Sequence, residues 1–367
     1  MGRLRVLLIG LVISLAASLS HPIAADFSKP GPFAIGLQTF TIPDVTGNHP
    51  LPAAVWYPAA GPAPDSATAI LRGTKDAPPA TSGPFPLVVV IHGITGVGMS
   101  YAPWGAHLAS YGFVVIAADY DTGLSGPPDA GVDLTDRGPI LILYTRPANV
   151  VRVIGFADAL TAPGGKLAGV IDTSRIGVWG HSTGGTTALQ AAGAQIDFKE
   201  LDDWCAANQT ETYGESCQFV SHEQRIATLY GAANAFAGPL PPIWDSRVAA
   251  LALAAPGGEL HVFGDTGIAA VNVPTLVMVG TADTYVKPAI NALWSYDAIS
   301  SQEKSLAVFD GGEHLLFVSY FDPPFVEAES LTTAFFLDTL KGDPMGHAAL
   351  HSDAVSFPDV LYKTTIH

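Results

Sequence analysis

Positive charge is scarce in this chain. Lys and Arg together number 17 against 33 Asp and Glu, a formal net charge of −16. Such a surface repels phosphate backbones and anionic headgroups, so nucleic-acid binding is excluded as a function class. Charge of either sign is sparse, at 14% of residues, while 48% are hydrophobic and Gly and Pro reach 38 and 29. Over 367 residues that composition supports a well-buried, loop-rich core and excludes a disordered chain. Cysteine is limited to Cys205 and Cys217. Two thiols cannot build a four-cysteine zinc site, and their spacing fits no four-ligand zinc pattern. In an exported chain they pair as one disulfide. Long apolar runs are also lacking. The strongest, Val6–Leu19, is about 14 residues, short of the ~20 that span a bilayer, so no stable membrane anchor is expected.

That run has a different reading. Arg3 and Arg5 precede it, and Ser20–Ala25 follows it, ending in the small residues Ala24-Ala25 before Asp26. Basic, apolar and small-residue parts in that order form a signal peptide over residues 1–25, with a secreted or periplasmic mature chain of residues 26–367.

The mature chain opens with alternating pieces, Gly36–Ile42 and Leu51–Tyr57, that read as antiparallel strands, followed by a Pro/Gly/Ala/Ser-rich loop over 61–84. Then the pattern changes. Phe85–Ile91, Phe113–Ala118 and Arg175–Trp179 are apolar without alternation, as strands covered on both faces must be. Helical segments at Trp104–Tyr111 and Pro147–Leu160 separate them. Strands alternating with helices imply right-handed crossovers and a mostly parallel sheet. A helix at Thr183–Ala192 follows. Gln195–Asp245 interrupts the rhythm with polar and aromatic residues and both cysteines, and is read as a lid insertion. Strands at Val248–Ala254, Thr275–Val279 and Ser305–Phe309 and a helix near Glu327–Leu340 resume the rhythm. The tail beyond Gly342 carries no clear pattern.

The chemistry-bearing motif is Gly180-His181-Ser182-Thr183-Gly184-Gly185, a G-x-S-x-G between a buried strand and a helix. A serine on that tight turn stands clear of the backbone, and the two flanking glycines leave room for the strained geometry. A hydroxyl is a weak nucleophile at neutral pH and needs a base. In strand–turn–helix proteins of this kind the acid and base follow on loops after later strands. Asp283 lies just past Thr275–Val279, and His314 lies past Ser305–Phe309 in Asp310-Gly311-Gly312-Glu313-His314. Asp310 and Glu313 are alternative acids, and His92 and His181 are supporting histidines. Charge that develops on a carbonyl oxygen needs prepositioned amides. Thr183, after the serine, is one expected donor, and Ile94, in His92-Gly93-Ile94-Thr95-Gly96, is the other.

These segments resemble the secreted α/β-hydrolases that include cutinases and polyester hydrolases, and the related platelet-activating-factor acetylhydrolases and dienelactone-hydrolase-like esterases. The resemblance rests on Trp104-Gly105 with Leu108–Val115, on Arg175–Ser182, on Val273–Leu276 leading to Asp283, and on Gly311–His314. It implies an α/β-hydrolase fold, a mostly parallel central sheet flanked by helices. It also implies a Ser182–His314–Asp283 triad with Ile94 and Thr183 as the oxyanion amides. The implied activity is hydrolysis of small, lipid-like or polyester esters through an acyl-enzyme, with no metal or organic cofactor. The chain departs from the polyester hydrolases at Ile94, where those enzymes carry an aromatic ring, and at Ala255-Pro256-Gly257, where they carry a tryptophan. A peptidase or amidase on the same scaffold, or an inactive binding protein, are the alternative functions. Two further patterns stand apart: His347 and His351, four residues apart as metal ligands on a helix would be, and the sequon Asn208-Gln209-Thr210. Trp204, Tyr213, Phe219 and Phe236 are candidates to line a substrate entrance through the lid.

Overall fold

A computed structural model of the full chain describes residues 26–44, 49–66, 73–120, 138–208, 214–351, 355 and 357–366. The signal-peptide segment, Tyr213 and part of the sequon lie outside the described residues. Among the described residues, ten strands form one sheet: β1 (Ala34–Ile42), β2 (Leu51–Ala59), β3 (Thr74–Lys75), β4 (Phe85–Ile91), β5 (Val114–Ala118), β6 (Ile171–His181), β7 (Val248–Ala254), β8 (Thr275–Gly280), β9 (Lys304–Phe309) and β10 (Val360–Thr364). Their order is β10-β9-β8-β7-β6-β4-β5-β2-β1-β3. The six strands from β9 through β5 are mutually parallel. β1 and β2 pair antiparallel on one flank, and β10 closes the other antiparallel to β9. This is the α/β-hydrolase architecture.

The uninterrupted apolar runs have the physical cause expected of them. In β4, Leu87, Val89 and Ile91 enter one core while Val88 and Val90 enter the other. β7 divides in the same way, with Leu251 and Leu253 on one face and Ala250, Ala252 and Ala254 on the other. A strand that buries both pleats has no polar face to alternate with. One face is covered by α1 (Ala102–Ser110) and α9 (Pro323–Lys341), and the small alanines of β7 admit the Phe335 and Phe336 rings. The other is covered by α2 (Arg146–Thr161) and α3 (Thr183–Ala191).

The helix containing α2 runs from Gly138 to Thr161 and is long and apolar enough to cross a membrane by length and composition, but its apolar side is spent on the core through Leu143, Val150, Val153, Ile154 and Ala157. A π-turn interrupts it over Leu141–Thr145. Pro147 has no N–H to donate to the Leu143 carbonyl one turn back. Gln190 Nε2 (3.0 Å) and the Tyr230 hydroxyl donate to that carbonyl instead.

The structure adds detail to the sequence expectation in three regions. The 61–84 loop contributes β3, which pairs with β1 in parallel. The segment 195–245 contains three helices, α4 (Phe198–Ala207), α5 (Gly214–Cys217) and α6 (Glu223–Leu229). Its Phe198, Leu201, Phe219 and Ile226 are fully buried in the main core. A Cys205–Cys217 disulfide links α4 to α5. Short helices α7 (Gly264–Ile268) and α8 (Ala292–Ala298) flank β8. The described part of the tail after Gly342 contains α10 (Pro344–Ala349) and β10. β10 was missed because it is a solvated edge strand whose residues are at most half-buried, so little core pattern marks it.

Candidate active site

The parallel strands place their C-terminal ends on one rim of the sheet, and Ser182 stands at the end of β6 on the first residue before α3. Its backbone has φ 56° and ψ −129°, a region that a residue with a Cβ enters at a cost of about 1–3 kcal/mol. The surroundings hold it there. The Ser182 N–H donates to Ala254 O at 3.0 Å, while its carbonyl accepts from Gly185 N (2.7 Å) and Gly257 N (2.8 Å). The flanking glycines are obligatory for packing. A Cβ on Gly180 would lie 2.2 Å from Gly184 O, and one on Gly184 would lie 2.2 Å from Ile91 O. No neighbouring backbone can yield that far, so the strand, the turn and the helix are locked together.

Three side chains from separate loops meet at this turn. His314 Nε2 lies 2.9 Å from Ser182 Oγ, across 132 residues of chain. His314 Nδ1 lies 2.7 Å from Asp283 Oδ2. Asp283 is buried, and its other oxygen, Oδ1, accepts the backbone N–H groups of Tyr285 (3.0 Å) and Val286 (2.8 Å). The carboxylate is thus fixed from both sides, and the imidazole is presented to the serine in one orientation. Asp310 and Glu313 do not serve this histidine. Asp310 accepts from the Thr281 hydroxyl, and Glu313 faces solvent.

The loop after β4 packs against the serine. A Cβ on Gly93 would come within 3.1 Å of Ser182 Cβ. His92 fixes the loop from beneath: its Nδ1–H donates to Gly93 O at 2.6 Å and its Nε2 accepts the Tyr120 N–H at 2.8 Å. Burial, followed by the nearby Arg146 guanidinium, holds His92 neutral by lowering its pKa to about 3. Arg146 is itself buried. It donates to His92 O and, through Nε–H, to Thr187 Oγ1 at 3.2 Å. Thr183 opens α3, where the amides of the first turn have no intrahelical acceptor. Its hydroxyl and that of Thr186 donate to the buried Glu259 carboxylate at 3.1 and 2.9 Å.

Sequence reasoning did not single out Glu259, Arg146, Tyr101 or Tyr285. Tyr285 projects at the mouth with 70% exposure, and its ring centroid lies 5.5 Å from that of His314. Its place two residues after Asp283 was the available signal. Ile94, next to Gly93, and Leu315, next to His314, are also exposed apolar side chains. The aromatics of the 195–245 segment behave differently from one another. Phe219 is core, Trp204 stacks on His261 at 3.9 Å, and Phe236 is exposed. His347 bonds to Asp338 Oδ1 at 3.2 Å and packs edge-on against His351.

Comparison with known proteins gives the same picture. Residues 65–217, which include the Ser182 turn, match the PETase family, described as PET hydrolase-like. A bis(hydroxyethyl) terephthalate hydrolase of Streptomyces coelicolor is 36% identical over 121 residues, 33% of this chain and 33% of the relative. Cutinase est2 of Thermobifida alba is 31% identical over 121 residues, 33% of this chain and 34% of its own length. Cutinase cut1 of Thermobifida fusca is likewise 31% identical over 121 residues, 33% and 32% of the two chains. The matched stretch spans about a third of each of these curated relatives. The chain has the α/β-hydrolase fold, and its residues 65–217 resemble the cutinases and PET hydrolases.

Proposed function

We propose that this protein is a serine carboxylic-ester hydrolase working through an acyl-enzyme, with Ser182 as nucleophile, His314 as general base and Asp283 as its orienting partner. The observation that carries the reading is the unbroken relay of 2.9 and 2.7 Å from Ser182 Oγ through the His314 ring to Asp283. The Ser182 Oγ–H proton passes to His314 Nε2 as Oγ attacks the ester carbonyl, and the Asp283 carboxylate stabilises the imidazolium that forms. The negative charge on the former carbonyl oxygen is met by the Ile94 and Thr183 amides, with the N-terminus of α3 adding favourable potential. His314 Nε2–H then protonates the leaving alkoxide as the C–O bond breaks. Water repeats the sequence in reverse to free the acid and Ser182. None of these steps requires a metal or organic cofactor.

The exposed side chains of Ile94, Leu315 and Tyr285 support an ester whose acyl or aryl part is apolar. The Tyr285 ring offers a flat face of the kind absent at position 94. The 195–245 segment, stapled by Cys205–Cys217 and rooted in the core, acts as a fixed cap in this reading. The disulfide and the residues 1–25 support action outside the cytoplasm.

The test is steady-state hydrolysis of p-nitrophenyl esters of graded acyl length, bis(hydroxyethyl) terephthalate, and a matched p-nitroanilide, using the mature chain. Turnover of the esters with at least about 100-fold preference over the anilide is expected. Faster anilide cleavage would make the protein an amidase, and no turnover of any substrate would leave a binding protein.

A further inference from the structure

Resting on the reading above, we infer that Tyr101 and His181 are positioning residues that tie the oxyanion loop to the loop bearing the base, and so set the geometry across which Ser182 reacts. His181 is the residue before the nucleophile, yet it does not face the substrate side. Its side chain is buried among Tyr101, Trp179, His314 and Phe317. Its Nδ1 lies 2.8 Å from the Tyr101 hydroxyl, and its Nε2 lies 3.2 Å from the His314 carbonyl oxygen. The Tyr101 hydroxyl, buried at the end of the turn that precedes α1, lies 3.2 Å from Gly93 N.

The direction of every bond in this chain is dictated by its two ends. Gly93 N–H can only donate and His314 C=O can only accept. Tyr101 therefore accepts from Gly93 and donates to His181 Nδ1, and His181 carries its single proton on Nε2 and donates to His314 O. One bond sequence thus runs from Gly93, adjacent to the Ile94 amide, to the backbone of His314. It requires a neutral His181. Burial, followed by repulsion from His314, supplies that by lowering the His181 pKa to about 3. The groups packed around His181 are Tyr101, Trp179, His314 and Phe317, with the Asp283 carboxylate beyond His314. Its ring centroid lies 5.0 Å from that of His314.

The physical consequence is rigidity where rigidity counts. The oxyanion loop follows β4 and the base loop follows β9, and β6, β7 and β8 lie between those strands in the sheet. His92, Arg146 and Tyr120 brace the oxyanion loop, and Asp283 and Trp104 brace the base loop, while the Tyr101–His181 link ties the two loops to each other. An oxyanion donor is worth its full effect only when aimed at the charge that develops, so a shift of a few tenths of an ångström costs rate without costing substrate affinity.

Tyr101→Phe removes one oxygen atom and leaves the ring in place. We expect kcat to fall about tenfold, roughly 1.4 kcal/mol in barrier, with KM changed less than twofold. The Ki of a trifluoromethyl ketone, whose hydrate-like adduct on Ser182 bears an oxyanion, should rise by the same factor. His181→Gln, which can accept at one atom and donate at the next, should retain more activity than His181→Leu, and so provides the test should Tyr101→Phe fold poorly. A merely structural role would lower the melting temperature while leaving kcat and Ki at their wild-type values. That result, in a wild-type enzyme that hydrolyses esters, overturns this inference alone. A wild-type protein that neither turns over esters nor binds the ketone overturns the hydrolase reading beneath it.

Discussion

Replacing Asp283 by Asn tests whether the relay is chemistry or packing, because the structure dictates which way the new amide must face. In the native site Oδ1 accepts two backbone N–H groups, from Tyr285 and Val286, while Oδ2 faces His314 Nδ1. An asparagine can satisfy the two N–H groups only by placing its carbonyl oxygen at the Oδ1 position. Its NH₂ then faces Nδ1. The opposite flip sets an NH₂ against two N–H donors and leaves buried groups unpaired, at about 1–3 kcal/mol each, or roughly 2–6 kcal/mol in all. The favoured orientation forces Nδ1 to accept, so the ring proton moves to Nε2. That nitrogen then confronts Ser182 Oγ with a donor and cannot take its proton. The expected loss in kcat is about 10³ to 10⁴, equivalent to roughly 4–5.5 kcal/mol. KM should change by less than about threefold, and the melting temperature by no more than a few degrees, since no volume is lost. The assay is steady-state hydrolysis of a short p-nitrophenyl ester beside a thermal melt. A correctly folded variant that keeps more than a tenth of wild-type kcat would refute the tautomer argument.

Two further expectations concern buried carboxyl groups. Glu329 on α9 lies 3.1 Å from His107 Nδ1, and His107 Nε2–H donates to Phe27 O. Burial raises the Glu329 pKa well above its ordinary value and lowers that of His107 to about 4, so burial disfavours the charged form of both groups. Glu329→Gln, which keeps a polar group beside the ring, should hold the melting temperature at pH 7 within about 2 °C, whereas Glu329→Leu should cost about 1–3 kcal/mol by removing the polar group beside the buried Nδ1. Burial, with the Asp202 carboxylate adding to it, raises the Glu223 pKa to about 7. A carboxyl protonated more readily when folded contributes most below its unfolded pKa, and that contribution is lost as pH rises through the folded value. Relative to wild type, Glu223→Gln should therefore be more stable at pH 8, by about 1 kcal/mol or roughly 2 °C after solvent screening, and indistinguishable at pH 5. Melts at the two pH values decide it.

How much of this was legible beforehand follows from what each feature needs from the sequence. The parallel core strands bury both faces, so β4, β5, β7 and the C-terminal half of β6 announce themselves as apolar runs. The serine turn is legible because its geometry demands glycine at fixed offsets, at 180 and 184. Asp283 and His314 are legible because parallel strands deliver their following loops to one rim. What escaped detection depends on contacts between distant segments. Tyr101 is an ordinary aromatic until β4 and β6 bring Gly93 and His181 to it. Glu259 is one of several acidic residues until the start of α3 lands above it. β10 gains its identity from the free edge of β9. The 195–245 segment is polar in composition, yet a few apolar side chains such as Phe198, Phe219 and Ile226 root it in the core, which no periodicity over so short a helix could reveal.

The central claim is that Ser182 is an activated nucleophile, and covalent capture tests it most directly. Purified mature protein treated with a fluorophosphonate, then analysed by intact mass and peptide mapping, should gain one adduct per chain on the peptide containing Ser182, with none in Ser182→Ala. Folded protein that stays unmodified, or that carries the adduct at another residue with equal speed in Ser182→Ala, would contradict it.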